Sequence, residues 1–317
     1  MARVLVTGAT GFVGSAVCSA LASEGWVVRA AVRTNVSPTS GEVVGVGHIG
    51  STTQWGGALK DVDVVVHLAA RVHVMQDSSN DPLTDFRDVN TLGTARLARA
   101  AAAAGAQRFV FMSSIKVNGE ATEVRPFAES DAARPEDPYA VSKWEAEKML
   151  WEISERTGLQ VVVIRPPLIY GPGVKGNLAR LLRLVDKGMP LPFANCGNRR
   201  SLLSLDNLVG FVGLSLQHPR AAGETFLVCD GEDVSTAEIV RYLAAGMKKK
   251  CRLFPVPRGL LGKAMVASGQ GALWQRLWGS LQIDSAKARQ RLEWSPTQQL
   301  PEAMFKLGAA YRQSRWR

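Results

Sequence analysis

Short apolar runs alternate along this chain with longer amphipathic ones. Val4-Leu5-Val6 reads as a buried strand that runs into a glycine-rich turn. Over residues 12–24, Phe12, Val13, Ala16, Val17, Ala20 and Leu21 recur at helical spacing, and Gly25 stands where a helix ends. The same reading predicts strands at 27–32, 63–68, 108–112, 160–165 and 225–228, with a weaker signal at 43–46. It predicts helices at 84–104, 138–157, 177–187 and 235–245. Pro138 suits a first helical turn, Gly158 a C-terminal cap, and Pro166-Pro167 stops the strand before it. Residues 188–200 read as a Pro/Gly/Asn-rich loop. Residues 259–281 form one amphipathic helix candidate, with Leu273, Trp274, Leu277, Trp278 and Leu281 on one side. A core or cap helix is preferred there to a membrane-surface helix. Strands alternating with helices imply an α/β fold: a doubly wound parallel sheet covered on both faces.

The turn after the first strand carries the first chemistry. In Thr7-Gly8-Ala9-Thr10-Gly11-Phe12-Val13-Gly14, Gly8 permits a tight turn, Gly11 lets a pyrophosphate approach the backbone, and Gly14 lets helix and strand pack closely. The first N–H groups of the helix then face the phosphates. Glycines in a strand–turn–helix context point to a dinucleotide. The end of the second strand separates the two nicotinamide cofactors, because NAD binders hold the ribose 2′-hydroxyl there with a carboxylate. This strand end, Ala30-Ala31-Val32-Arg33-Thr34, has none. Arg33 can pair instead with a 2′-phosphate, so NADP(H) is expected and NAD is the weaker alternative. Arg29 alternates onto the same face and is a candidate helper.

Tyr139-Ala140-Val141-Ser142-Lys143 places a phenol and an ammonium one helical turn apart on one face. A free tyrosine near pKa 10 is a poor proton donor at neutral pH, and a nearby lysine lowers that value. The strand at 108–112 ends in Ser113-Ser114. Strand C-termini line the ligand crevice of such sheets, and Ser114, in preference to Ser113, is placed to hydrogen-bond a reacting carbonyl.

With the glycine loop, Ser114, Tyr139 and Lys143 in this order, the chain resembles an extended short-chain dehydrogenase/reductase. It is similar to the NAD-dependent epimerase/dehydratase branch that acts on nucleotide sugars. Further marks are Asp63 to Ala70, Asn90-x-x-Gly93-Thr94, Arg165-Pro166-Pro167-Leu168-Ile169-Tyr170-Gly171 and Leu292-Glu293-Trp294-Ser295-Pro296. The resemblance implies a Rossmann NADP-binding domain over 1–171, with a return segment at about 205–230. A smaller C-terminal substrate-binding cap would take 172–204 and 231–317. It implies cofactor contacts from Gly8, Thr10, Gly11, Phe12, Val13, Gly14 and Arg33, then from Leu68, Ala69, Ala70 and Pro166, with Tyr139 and Lys143. It implies catalysis by Ser114, Tyr139 and Lys143. Substrate contacts would come from Ser114, from Asn177 and Leu178, and from Arg200 on the diphosphate, with Arg199 as a substitute. Arg71 and His73 are further candidates.

Departures from the family pattern narrow the reaction. Dehydratases carry Asp-Glu after the catalytic hydroxyl, and this chain has Ile115-Lys116. His48 replaces an acidic adenine contact, and Leu168 replaces a sugar-site Asn. The wording of residues 113–119 is closest to enzymes of bacterial surface-polysaccharide synthesis. The leading expectation is therefore an NADPH-dependent reductase of a nucleotide-linked 4-keto sugar, with a UDP-4-keto-6-deoxy-N-acetylhexosamine as substrate. The alternative is a UDP-hexose 4-epimerase with tightly bound NAD. A homodimer is implied.

Composition adds limits. In 317 residues, 46% are hydrophobic and 21% charged, which excludes disorder as the main state. No apolar run approaches the roughly 18 residues of a membrane span, and the first residues lack a signal-peptide pattern, so a cytoplasmic enzyme is expected. A net charge of +10 suits an anionic partner. NADPH and a nucleotide sugar already meet that need. Neither nucleic-acid binding nor membrane association is expected, and a catalytically silent NADP sensor is disfavoured by the intact Ser114/Tyr139/Lys143 set. Cys18, Cys196, Cys229 and Cys251 have no metal or disulfide spacing and read as small buried residues.

Overall fold

The computed structural model describes residues 1–34, 41–72 and 81–314; His73 lies outside them. The strands are β1 (Arg3–Thr7), β2 (Val27–Val32), β3 (Glu42–Gly45), β4 (Val64–His67), β5 (Arg108–Met112), β6 (Gln160–Arg165), β7 (Leu168–Tyr170), β8 (Arg200–Ser204), β9 (Glu224–Leu227) and β10 (Asp233–Val234). Seven of them form one sheet in the order β3-β2-β1-β4-β5-β6-β9. Every pairing in it is parallel. The order reverses between β1 and β4, the switch point at which such sheets bind ligands. β10, β8 and β7 make a second, three-stranded sheet.

The helices are α1 (Phe12–Ser23), α2 (Pro82–Phe86), α3 (Gly93–Ala103), α4 (Pro138–Thr157), α5 (Gly176–Asp186), α6 (Leu205–Gln217), α7 (Thr236–Gly246), α8 (Arg258–Ala267), α9 (Gly271–Trp278), α10 (Ala286–Leu292) and α11 (Leu300–Ser314). Apolar side chains of β1, β2, β4, β5 and β6 alternate between two cores. Val4, Val6, Val66 and Val110 pack with α1, α6 and α10 on one face. Leu5, Val65, Phe109 and Phe111 pack with α3 and α4 on the other. Burial on both faces is why these strands are nearly unbroken apolar runs. A third core gathers α5, α7, α9 and α11 around Tyr170, Leu202, Leu243 and Trp278.

Several expectations are corrected. The helix predicted over 84–104 is three pieces: α2, a π-helical turn at Arg87–Leu92, and α3. The π-turn buries Asn90 and Thr91 against α4, where Asn90 Nδ2 donates to Ser142 Oγ at 3.0 Å. The single helix predicted over 259–281 is the pair α8 and α9. Gly269 between them takes φ +75°, which continues no helix. The pair folds back on itself: a Cβ at Gly262 would lie 3.0 Å from the Trp274 ring. Trp274 stacks on Trp278 at 4.8 Å. The loop predicted to run through residue 200 gives way there to β8. Three cysteines are buried as read, but Cys251 is exposed. No described helix is long and apolar enough to cross a membrane.

Candidate active site

Because all seven strands are parallel, their C-terminal ends share one edge, and the candidate residues collect there. The glycine turn follows β1, Arg33 follows β2, Leu68-Ala69-Ala70 follows β4, Ser114 follows β5, and Pro166 follows β6. The glycine turn is built as a cradle. Gly8 takes φ +67°, and a Cβ there would lie 2.8 Å from the Ala69 nitrogen. A Cβ on Gly14 would lie 2.0 Å from the Gly8 carbonyl oxygen, whereas Gly11 meets only that oxygen, at 3.1 Å. Gly11 caps α1 without a side-chain bond. The amides of Phe12, Val13 and Gly14 therefore open toward the edge with the positive end of the helix dipole. A pyrophosphate fits this cradle.

Arg33 is exposed beside the β2 end. Arg29 is not its helper. Its Nε bonds Glu42 at 2.8 Å, and its guanidinium also donates to the carbonyls of Ala58 and Lys60. Residue 29 lies in the strand interior, where neighbouring strands claim the side chain. His48 is exposed in the turn after β3.

Asp137 caps α4, its Oδ1 accepting from the Ala140 amide at 2.7 Å, and Pro138 follows it. This cap fixes the start of the helix and sets Tyr139 at the sheet edge. Tyr139 and Ser114 line the same cleft, with Ser114 near enough to act on the phenol, and the Tyr139 ring meets Phe86 edge-on at 6.2 Å. Lys143 is buried one turn on, with Nζ 2.9 Å from the Met112 carbonyl and 4.5 Å above the Phe111 ring. Burial pushes Tyr139 up to about 12, helped by Asp137, and the neighbouring Ser114 hydroxyl opposes it. Burial pushes Lys143 down to about 7, against the attraction of Glu147. Lys143 does not lower Tyr139 as expected. The same burial that withdraws the phenolate also withdraws the charge of the ammonium.

Ser113 and Ser114 have different partners. Ser113 is buried and donates to Glu147 Oε1. Glu147 is itself buried and accepts from Arg165 Nε at 3.0 Å. Ser114 is half-buried, facing Tyr139. Sequence reading missed Glu147, although its spacing of four from Lys143 on one helix is a usable signal. It also missed His67, buried between Thr7 Oγ1 at 2.6 Å and Thr94 Oγ1 at 2.9 Å. Burial first, then the charge of Lys143, lowers His67 to about 3, so it is neutral.

Beyond Tyr139 opens a cleft of about 780 Å³. It brings Ser114 and Tyr139 together with Asn177, Leu178 and Arg200. Asn177 and Leu178 lie in the first turn of α5, and Arg200 opens β8 with Nη1 on the Gly279 carbonyl at 3.1 Å. Arg199 is exposed and no cleft residue. Leu168 lines the wall, as do Gln275 and Arg276 of α9, which the sequence did not single out. Arg71 stays near the edge, paired with Asp85 at 3.3 Å.

Sheet order, glycine cradle and the Tyr139 helix are those of a short-chain dehydrogenase/reductase fold. The model of the NAD dependent epimerase/dehydratase family matches residues 4–229, and the chain belongs to that family, which is nicotinamide-nucleotide dependent. A UDP-glucose 4-epimerase of Vibrio cholerae is 45% identical over 98% of this chain and 96% of its own length. A solved structure of MoeE5 in complex with UDP-glucose and NAD is 25% identical, covers 99% of both chains and has a TM-score of 0.79. The UDP-N-acetylglucosamine 4-epimerase from Bacillus cereus, at 23% identity, has the same fold, with a TM-score of 0.79 over 98% of this chain and 100% of that one.

Proposed function

We propose that this protein interconverts the C4 epimers of a UDP-linked hexose. The observation that carries the reading is a single cleft lined by Ser114 and Tyr139 together with Asn177, Leu178 and Arg200. The 45% identity to a UDP-glucose 4-epimerase along nearly the whole chain supports it over the 4-ketoreductase. Gly8, Gly11 and Gly14, with Leu68–Ala70 and Pro166 beside them, would hold a nicotinamide dinucleotide, which when bound would supply hydride exchange with C4. Tyr139 takes the proton of the C4 hydroxyl and returns it. Ser114 bonds the same oxygen and orients it. Lys143, which burial brings to about 7, exchanges a proton near neutral pH and would hold the nicotinamide ribose. Arg200 pairs with the diphosphate, and Asn177 and Leu178 bound the nucleotide end. In this reading the glycine-loop sheet is the cofactor domain and residues 172–204 and 231–317 are the substrate cap. The chain works in the cytoplasm as a homodimer, in the assembly of surface-polysaccharide precursors.

A second reading, an NADPH-dependent reductase of a UDP-4-keto sugar, is favoured by one feature: the exposed Arg33 at a β2 end without a carboxylate. Incubation of the purified protein with UDP-glucose and UDP-N-acetylglucosamine, without added cofactor, separates the two. Appearance of the C4 epimer with no net change in nicotinamide absorbance supports the epimerase. Stoichiometric NADPH consumption with a UDP-4-keto sugar, and no epimerisation, supports the reductase.

A further inference from the structure

Ser114 ends one loop and Tyr139 opens a helix 25 positions later, yet proton transfer needs them held within a fraction of an ångström. Lys143 and Glu147 tie the body of α4 to the end of β5, and Lys116 ties its N-terminal cap to the Ser114 turn. Ser114 caps the short turn Ile115–Val117, its Oγ accepting from the Lys116 amide at 3.3 Å. Lys116 Nζ then reaches Asp137 Oδ2 at 2.6 Å and Glu120 Oε1 at 2.6 Å. Asp137 is the residue whose other oxygen caps α4. All three charged side chains are about four-fifths withdrawn from solvent, with relative exposures of 20%, 23% and 21%, and all three line the cleft. Solvent screens this bridge far less than a surface ion pair.

We propose that Lys116 is a positioning residue: its ammonium ties the Ser114 turn to the Asp137 cap of the Tyr139 helix and so fixes the pair that moves the proton. The inference rests on the C4 oxidoreduction proposed above. The bridge also has an electrostatic role. Asp137 is the charged neighbour that raises Tyr139, and the Lys116 ammonium stands against that carboxylate. Among the described residues, other groups around this cleft and Tyr139 include Glu120 from the segment after the Ser114 turn, Glu136, Lys143 with Glu147 behind it on α4, and Phe86 of α2 under Arg71. Lys116 is a cation bonded to Asp137 at 2.6 Å, so its loss strengthens the carboxylate's field on the phenol.

The test uses the full-length protein with K116M, K116R and the double variant K116M/D137N. In K116M the amide of Ala140 should exchange with deuterium about tenfold faster than in wild type. Turnover should fall about tenfold with KM within about twofold, the split expected when geometry rather than binding is lost. The rising limb of kcat against pH should move about one unit higher, because an Asp137 that has lost the Lys116 ammonium disfavours the phenolate more strongly. K116R should restore both rate and limb. The double variant should bring the limb back while the rate stays low. Wild-type kcat and pH limb in K116M would overturn the proposal, as would a loss that K116R does not rescue. Should the wild-type protein turn over no nucleotide sugar, the function reading fails, and unchanged Ala140 exchange in K116M would then reject the bridge by itself.

Discussion

Lys143 donates its ammonium to the Met112 carbonyl at 2.9 Å, while Tyr139, one turn earlier on the same helix, lies beside Ser114 in the cleft. The two groups that must exchange charge are thus both withdrawn from water and anchored to the strand end after β5. Burial acts on them in opposite senses, lifting the phenol to about 12 and lowering the amine to about 7. The resting protein holds a protonated phenol. A positive charge brought to the edge by a bound nicotinamide would favour its ionisation.

Replacing Tyr139 by Phe removes the proton carrier and leaves the ring packed on Phe86. Turnover of a UDP-hexose should fall by about a hundredfold or more. Binding of the nicotinamide nucleotide, followed by fluorescence, should be unchanged. A near wild-type rate would reject Tyr139 as the acid–base group.

The Arg33 side chain is the discriminator at the β2 end. If it reads a 2′-phosphate, the protein binds NADPH at least tenfold tighter than NADH, about 1.4 kcal/mol. That preference collapses in Arg33→Ala. Equal binding, or NADH that resists stripping, removes the argument for the reductase.

Gly14→Ala would set a methyl group 2.0 Å from the Gly8 carbonyl oxygen. The contact is with backbone, so no side chain can turn away. The melting temperature should drop by about 5 °C. Dinucleotide affinity should fall with it, because the displaced turn is the cradle. Gly25→Ala, also at a helix end, meets no atom within 4 Å and suffers only the strain of its φ of +87°. It should keep dinucleotide affinity.

His67 makes stability depend on pH. Unfolded, the imidazole binds a proton below about 6.5, whereas in the fold it stays neutral down to about 3. The unfolded state therefore binds more protons in that window, and stability falls as pH is lowered through it. The slope from this group is at most about 1.4 kcal/mol per pH unit. Urea midpoints between pH 7 and 5, above the carboxylate range, should fall in wild type and flatten in His67→Gln. A flat wild-type profile would contradict a neutral buried His67.

Much of the architecture was legible because the strands buried on both faces write long apolar runs that only a covered parallel sheet explains. The glycine turn was legible for a similar reason: Gly8 and Gly14 stand where any Cβ would strike backbone. Asp137-Pro138 and Gly158 marked both ends of the Tyr139 helix by local capping chemistry. Less legible were β7 and β10, of three and two residues, too few to show a period, and β8, which begins where a Pro/Gly/Asn-rich segment reads as loop.

From the chain order alone came the doubly wound sheet, the glycine turn between β1 and α1 and the spacing of Tyr139 and Lys143, since each depends on neighbours within a few residues. Only the tertiary structure decided which serine meets Tyr139, why Arg29 is taken by Glu42, that α8 and α9 fold back as a pair, and that Lys116 bridges to Asp137. Those outcomes depend on groups far apart in sequence that compete for one partner, and the winner is set by burial and distance once the sheet has closed.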